Sequence, residues 1–305
     1  MKAVTFTEFG TPDVLRSTEV PLPEPGPGAI RVRVRAAGVQ PADTMMRRGF
    51  APPTMTVSLP ATPGNEFAGT VDALGAGVSG VAVGDEVLGW SMTGSYAEYV
   101  VVPADQTVPK PAGMPWDVAG VMSASGQTAH RALRELRVAA GETVLVHAAA
   151  GGVGTIAVQL AVAWGATVVG TASEANHDFL RGLGAVPVAY GDGLVERVRA
   201  AAPQGVDAAL DGAGRGALEA SVELVADRSR IGTITDFEGA ARLGAVGLRG
   251  GPGARSAARL GELVALYEKG LLVPHIGHRI PLTEAAQAHR LVEAGHVRGK
   301  VVLLV

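Results

Sequence analysis

The 305-residue chain contains no cysteine. That excludes disulfides and any thiolate metal site. Aromatic residues make up only 4% and charged residues 18%, against 47% hydrophobic residues. A sizeable core is therefore available, and it must be mainly aliphatic. The net charge of −3 leaves no basic footprint for nucleic acid. The 42 glycines and 19 prolines mark a chain rich in turns, below the level that signals disorder. Between Thr143 and Ser173 there is no Asp, Glu, Lys or Arg, long enough for a membrane span. Glycines at 151, 152, 154, 165 and 170, and a switch from strand-like to helix-like composition inside the stretch, reject that reading. Met1 to Gly10 contains Glu8 and no long apolar core, so no signal peptide is expected. These bounds describe a soluble, cytoplasmic protein, long enough for one large or two ordinary domains.

What is present is organised around VLVHAAAGGVG, Val144 to Gly154. Val144–Val146 reads as a strand buried on both faces. Small residues follow where the chain must turn, then Val153 to Trp164 has helical composition. Gly165 stands where a helix C-terminus favours glycine. Ala166 to Thr171 completes strand–turn–helix–strand. In that context Ala149-x-Gly151-x-x-Gly154 is a dinucleotide-binding fingerprint with alanine at its first glycine. Gly151, Gly152, Val153 and Gly154 would bring backbone N–H groups and a helix N-terminus to a pyrophosphate. The same glycines would also serve a plain tight turn in an α/β sheet.

Residues up to about Trp116 read as all-β. Ile30, Val32 and Val34 alternate with Arg31, Arg33 and Arg35, a half-buried strand with a solvated basic face. Short apolar runs between glycines, Phe67–Leu74, Val81–Trp90 and Tyr96–Val102, suggest a barrel or sandwich. From Trp116 to Leu136 the composition is largely helical. Apolar strands at Val144–Val146, Val168–Gly170, Val186–Tyr190, Ala208–Leu210 and Ile231–Thr235 then alternate with helices, as in a doubly wound parallel sheet. Ser256 to Lys269 reads as a helix, Thr283 as the cap of a helix over Glu284–Glu293, and Lys300–Val305 as a closing strand.

Several segments together carry a family resemblance. AAGVQPADTMMRRG (Ala36–Gly49), PGNEFAGTV (Pro63–Val71), VGDEVLG (Val83–Gly89), YAEYVVVPADQTVPKP (Tyr96–Pro111), HAAAGGVG (His147–Gly154) and AHRLVEAGHVRGKVVL (Ala288–Leu303) resemble the zinc-independent quinone oxidoreductases of the medium-chain dehydrogenase/reductase superfamily. The resemblance implies an α/β chain: a GroES-like β-barrel catalytic domain, residues 1–118 and 268–305, plus a doubly wound Rossmann domain, residues 119–267. It further implies a homodimer. Zinc-dependent relatives carry cysteine where this chain has Gln40, histidine where it has Asn65, and cysteine near Ala124. Those side chains do not supply a tetrahedral zinc, so no metal is expected. Members of the quinone reductase group often carry asparagine at the Gln40 position and tyrosine at the Met45 position, and this chain has neither.

The resemblance also assigns candidate roles. Gln40 is placed beside the nicotinamide as an amide donor to a developing oxyanion, against a plain role as a barrel glutamine. Asp43 matches a position in the active-site cleft, or caps the turn after Pro41. Thr128 matches a position near the nicotinamide ribose, or bonds its own helix. Phe237 packs near the nicotinamide or in the core. Glu66 reads as structural. Ala172 stands where NAD-selective sites place a carboxylate, which favours NADPH, with Ser173 and Tyr190 toward the 2′-phosphate. No Lys or Arg lies in Ser173–His177 to assist them. Met45, Met46, Phe50 and Met92 suggest an apolar pocket and name no substrate. Two functions follow: NADPH-dependent hydride transfer to a quinone or α,β-unsaturated carbonyl compound, or a non-enzymatic NADPH-binding structural or RNA-binding protein.

Overall fold

The computed structural model describes residues 1–50, 56–251 and 253–305. The chain divides into two compact units: residues 1–127, 255–268 and 274–305, and residues 128–254 with 269–273.

The first unit opens with β1 (Lys2–Thr5) and β2 (Arg16–Glu19), an antiparallel pair. β3 (Ala29–Val39) is its longest strand, at 11 residues. It pairs antiparallel with β4 (Glu66–Leu74) and with β6 (Tyr99–Pro103), and β4 pairs with β5 (Glu86–Trp90), which pairs with β7 (Thr107–Pro109). Two register shifts against β4, between Arg31/Val32 and Val34/Ala36, bend β3 so that one strand serves several neighbours, the usual effect of bulges. The expected alternation holds: Ile30, Val32 and Val34 are buried beside Phe67, Val71, Val301 and Leu303. The basic face is not uniformly solvated. The Arg31 guanidinium pairs with Asp72 at 2.6 Å and Glu24 at 3.1 Å and lies over the Tyr99 ring, while Arg33 and Arg35 are exposed.

The second unit holds a six-stranded parallel sheet. Its strands are β8 (Thr143–His147), β9 (Thr167–Ala172), β10 (Ala185–Ala189), β11 (Ala208–Asp211), β12 (Ile231–Thr233) and β13 (Val246–Gly247), in the order β10-β9-β8-β11-β12-β13. The order reverses between β8 and β11, the switch point of a doubly wound sheet. Every residue of β8 is buried, as an uncharged apolar run between two neighbours and two helical layers requires. The chain then returns to the first unit as β14 (Ile276–Pro281) and β15 (Lys300–Leu304), and β15 adds antiparallel to β3.

Some local expectations are corrected. The helical stretch 116–136 is two helices, Trp116–Ala119 and Ser123–Glu135. At the break, a methyl group on Gly120 would lie 2.7 Å from the Ala36 side chain, so the backbones meet where only glycine fits. Thr283 is no helix cap. It lies in a 3-10 turn, and the helix Ala285–Ala294 follows from Glu284 with no capping side chain. Tyr190 and Ile234–Thr235 fall just beyond their strands. Met46 belongs to the core, whereas Met45, Phe50 and Met92 are exposed. No helix among the described residues is long and apolar enough to cross a membrane.

His289 is fully buried, edge-on to the Tyr96 ring at 5.7 Å, and neither ring nitrogen has a hydrogen-bond partner among the described residues. Burial, with the nearby Arg47 charge, pulls its pKa down to about 3. The folded state thus favours the neutral ring. This contribution is full above the unfolded value near 6.5 and is lost as pH falls toward 3. His289→Leu should shrink the stability lost between pH 7 and pH 5 by about 2 kcal/mol, read by urea unfolding at both pH values. An unchanged pH dependence would contradict this.

Candidate functional site

The turn after β8 is built by close packing. Ala148 adopts a left-handed backbone, φ 54°, which costs an alanine energy unless the surroundings impose it. Its N–H is held by the Thr171 hydroxyl at 3.2 Å and the Ala149 N–H by the Thr171 carbonyl at 3.0 Å. Ala149 is fully buried, and its methyl packs on Gly170 of β9, where an added methyl would approach to 2.9 Å. The alanine at the first fingerprint position is therefore matched by a glycine on the next strand. Gly154 is fixed as glycine: a methyl there would lie 2.2 Å from the Ala148 carbonyl oxygen.

Gly151 caps the helix Gly152–Ala163. The Thr155 N–H bonds back to the Gly151 carbonyl. The N–H groups of Gly152, Val153 and Gly154 precede that bond and have no carbonyl a turn earlier. Three donors and the positive end of a helix thus converge at the sheet's switch point, a fit for a pyrophosphate.

The ends of β9 and β10 carry the next candidates. Ala172 is buried, and Ser173 follows as the cap of a 3-10 turn. The Ser173 hydroxyl accepts from the Asn176 amide at 3.1 Å, which leaves its proton to donate. Tyr190 is 62% exposed. The cation missing from Ser173–His177 comes from further along the chain. The Arg197 guanidinium donates to the carbonyls of Ala189 at 2.9 Å, Asp192 at 2.7 Å, Gly191 at 3.1 Å and Tyr190 at 3.3 Å. It clamps the loop that presents Tyr190 and brings a positive charge beside it. Phe237 begins a helix just past β12, half-buried under the Arg249 guanidinium at 4.1 Å. Thr128 lies half-buried on the helix Ser123–Glu135.

In the first unit the structure gathers Gln40, Asp43, Asn65 and Ala124 around a carboxylate that sequence reasoning treated as merely structural. Glu66 is fully buried. It accepts from the Gln40 amide, from the Ala124 N–H at 2.6 Å and from the Lys300 ammonium at 3.1 Å. Lys300 also donates to the Ser125 hydroxyl at 3.1 Å, and that hydroxyl donates to the Gln40 Oε1 at 3.4 Å. Gly38 makes room, because a methyl there would lie 2.0 Å from a Glu66 oxygen. Asp43 accepts from the Gln40 N–H at 2.9 Å and the Tyr96 hydroxyl at 3.1 Å. Desolvation, reinforced by the Glu66 charge and opposed by these hydrogen bonds, raises its pKa to about 7. Beside them the Arg255 guanidinium donates to the Asn65 carbonyl at 2.7 Å and to its Oδ1 at 3.3 Å. Lys300 lies within the Ala288–Leu303 motif, but its partner Glu66 is more than two hundred residues earlier, and Arg255 lies in none of the motifs, so no local spacing flagged either role.

The chain's relatives agree with this architecture. Residues 26–112 match the alcohol dehydrogenase GroES-like domain and residues 183–303 the zinc-binding dehydrogenase family. Over 331 aligned residues the chain is 31% identical to a quinone oxidoreductase of Rattus norvegicus, covering 100% of this chain and 98% of the relative. It belongs to the quinone oxidoreductase group of the medium-chain dehydrogenase/reductase superfamily. Among solved structures, an NAD-dependent alcohol dehydrogenase superposes with TM-score 0.90 at 32% identity, covering all of both chains. The Escherichia coli quinone oxidoreductase complexed with NADPH superposes with TM-score 0.88 at 27% identity, again covering all of both. The group's activity makes this chain an oxidoreductase.

The zinc in one family description meets a poor fit here. Gln40 and Asn65 offer amides, Ala124 offers nothing, and the Glu66 carboxylate already holds an ammonium, an amide and a backbone N–H. Among the described residues no three His, Asp or Glu side chains converge as ligands.

Removing one partner of a buried ion pair leaves the other charge uncompensated, at a cost of about 3–5 kcal/mol. Glu66→Gln should destabilise the chain by about 3 kcal/mol, measured as a loss of unfolding free energy in urea. A loss below about 1 kcal/mol would match a surface pair and contradict the burial described.

Proposed function

We propose that this chain reduces a quinone or an α,β-unsaturated carbonyl compound by hydride transfer from NADPH, without zinc. The observation that carries the reading is the fan of N–H donors at Gly152, Val153 and Gly154, at the switch point of a parallel sheet whose second strand ends in Ala172. Anchored there, the dinucleotide supplies the hydride. The protein's part is to bind, orient and stabilise charge.

The group's name, carried by the rat and Escherichia coli relatives, supports a quinone acceptor. One similar structure is NAD-dependent and another holds NADPH, so the choice between them rests on this chain's own residues. Ala172 puts no carboxylate against a 2′-phosphate. Ser173 and Tyr190 have hydroxyl protons to donate, and Arg197 fixes the loop that carries Tyr190. A hydrogen bond to a charged group contributes about 1.5–3 kcal/mol, so a modest NADPH preference follows. We assign Phe237 to pack against the nicotinamide and Thr128 to its ribose.

In the first unit, Gln40 keeps one amide proton beyond its bond to Glu66, and we assign it as a donor to the acceptor's oxygen. Asp43, bonded to the Gln40 backbone, is a positioning residue for it. Family membership also supports a homodimer.

Gly152→Asp sets a carboxylate where the pyrophosphate's charge would lie. NADPH affinity should fall at least about tenfold, or about 1.4 kcal/mol, with the melting temperature preserved; an unchanged Kd would reject the loop assignment. The parent should consume NADPH with quinones or enones, and failure across both panels would favour a non-enzymatic NADPH-binding protein. Ala172→Asp should shift kcat/KM toward NADH, and Tyr190→Phe should weaken NADPH alone. If the parent already prefers NADH, the adenosine-end account is wrong.

A further inference from the structure

His147 ends β8, next to the strained Ala148. It is buried, and its ring is set between two hydroxyls. Nε2 lies 3.0 Å from Ser221 Oγ and Nδ1 lies 3.4 Å from Thr171 Oγ1. Burial keeps the ring neutral by drawing its pKa down to about 4, against the opposing charge of Asp211 on β11. The Asp211 carboxylate is committed elsewhere. It accepts from the Ala213 N–H at 2.7 Å, the Gly214 N–H at 2.8 Å, the Thr233 hydroxyl at 2.7 Å and the Thr235 hydroxyl at 3.3 Å. The two hydroxyls at the ring therefore decide which nitrogen carries its one proton.

The helix Ala217–Leu224 makes that decision. The Ser221 hydroxyl donates its only hydrogen to the Ala217 carbonyl at 2.8 Å. Toward the ring Ser221 can only accept, so Nε2 carries the proton. Nδ1 is then bare and accepts from the Thr171 hydroxyl. The Thr171 hydrogen points to the ring, and its lone pairs are left for the Ala148 N–H at 3.2 Å. Every donor in the chain points the same way, from Ala148 through Thr171, His147 and Ser221 to Ala217, an arrangement in which each bond strengthens the next. With the proton on Nδ1, Nε2 and Ser221 Oγ would face each other as two acceptors. The ring and the Ala148 N–H would also compete for the Thr171 lone pairs.

Ala148 is where this chain of bonds reaches the glycine turn. Its carbonyl accepts from the Gly151 N–H at 2.9 Å, and Gly154 packs directly against it. The Ala148 peptide thus sets where the next residues lie, and its left-handed backbone persists only while its surroundings impose it. We infer that His147 is a positioning residue for dinucleotide binding: as the neutral Nε2–H tautomer it aims the Thr171 hydroxyl, which holds Ala148 and so the N–H donors of Gly152, Val153 and Gly154. This rests on the reading of that turn as the pyrophosphate site. His147 acts through Thr171 and Ala148, and it transfers no proton.

Two measurements test this. In protein made with nitrogen-labelled histidine, NMR at neutral pH should show the His147 ring protonated on Nε2, with its signal assigned by its loss in His147→Asn. A proton on Nδ1 overturns the inference whatever any variant does to stability. The second measurement is the NADPH dissociation constant of folded variants. Thr171→Val and His147→Leu should each weaken binding about tenfold, the scale of one lost hydrogen bond. Thr171→Ser keeps the hydroxyl, and His147→Asn puts an amide oxygen in the place of Nδ1, so both should stay within a few-fold of the parent. Combining His147→Leu with Thr171→Val should bind no more weakly than Thr171→Val alone, because the ring acts through that hydroxyl. A ring that served only as packing would weaken binding again in that background, by about a further tenfold, and that result overturns the inference. If His147→Leu does not fold, Ser221→Ala takes its place, since it removes the group that fixes the ring's proton. It should weaken NADPH binding in the parent and have no effect on top of Thr171→Val. Gly152→Asp separates this inference from the reading beneath it. If Gly152→Asp leaves the dissociation constant unchanged, the pyrophosphate site itself fails. If it weakens binding while Thr171→Val and His147→Leu do not, the site stands and the role of His147 fails.

Discussion

The centre of the first unit depends on one buried ion pair, Glu66 with Lys300. Glu66 begins β4 and Lys300 begins β15, and both strands pair with β3. The pair therefore ties the chain's closing strand to its early sheet at the point where Gln40, Ser125 and Ala124 also attach. A charged carboxylate without partners there would be costly to bury. Three donors on one carboxylate make its charge tolerable, and Gly38 leaves the space it needs. Gln40 and Ala124 are thus linked through the Glu66 carboxylate. Asn65 instead accepts from the Arg255 guanidinium through its carbonyl and Oδ1.

The second unit solves a different problem with less charge. Its glycine-rich turn after β8 relies on steric economy: a strained Ala148, a methyl of Ala149 fitted against Gly170, and a Gly154 with no room for any side chain. Under the turn, His147 at the end of β8 is kept neutral by burial, which draws its pKa down to about 4, and its ring meets the Ser221 and Thr171 hydroxyls. The fully buried Asp211 lies beside His147 in the neighbouring strand and accepts from the Thr233 hydroxyl at 2.7 Å and from the N–H groups of Ala213 and Gly214.

Much of this was legible in the sequence because the signals are local. Alternation at Ile30–Val34 gave a strand, the uncharged run at Val144–Val146 gave a buried parallel strand, and the Ala149-x-Gly151-x-x-Gly154 spacing gave the turn. The break at Gly120 was not legible, because its cause is the approach of Ala36 from more than eighty residues earlier. The role of Glu66 was underestimated for the same reason, since its cation lies at Lys300. The two arginines the motifs omit, Arg197 and Arg255, act through backbone carbonyls and an amide, and no residue pattern announces such partners. Thr283 misled as a cap because a 3-10 turn takes up the residues ahead of the helix.

The proposed zinc independence leaves organic donors, rather than a metal, to supply the positive charge in the first unit. The direct measurement is the zinc content of protein produced in zinc-supplemented medium, with turnover followed before and after exhaustive chelation. Zinc should lie far below stoichiometry, with turnover unchanged by the chelator. A tightly bound zinc on every chain, whose removal abolishes turnover and whose return restores it, would contradict it.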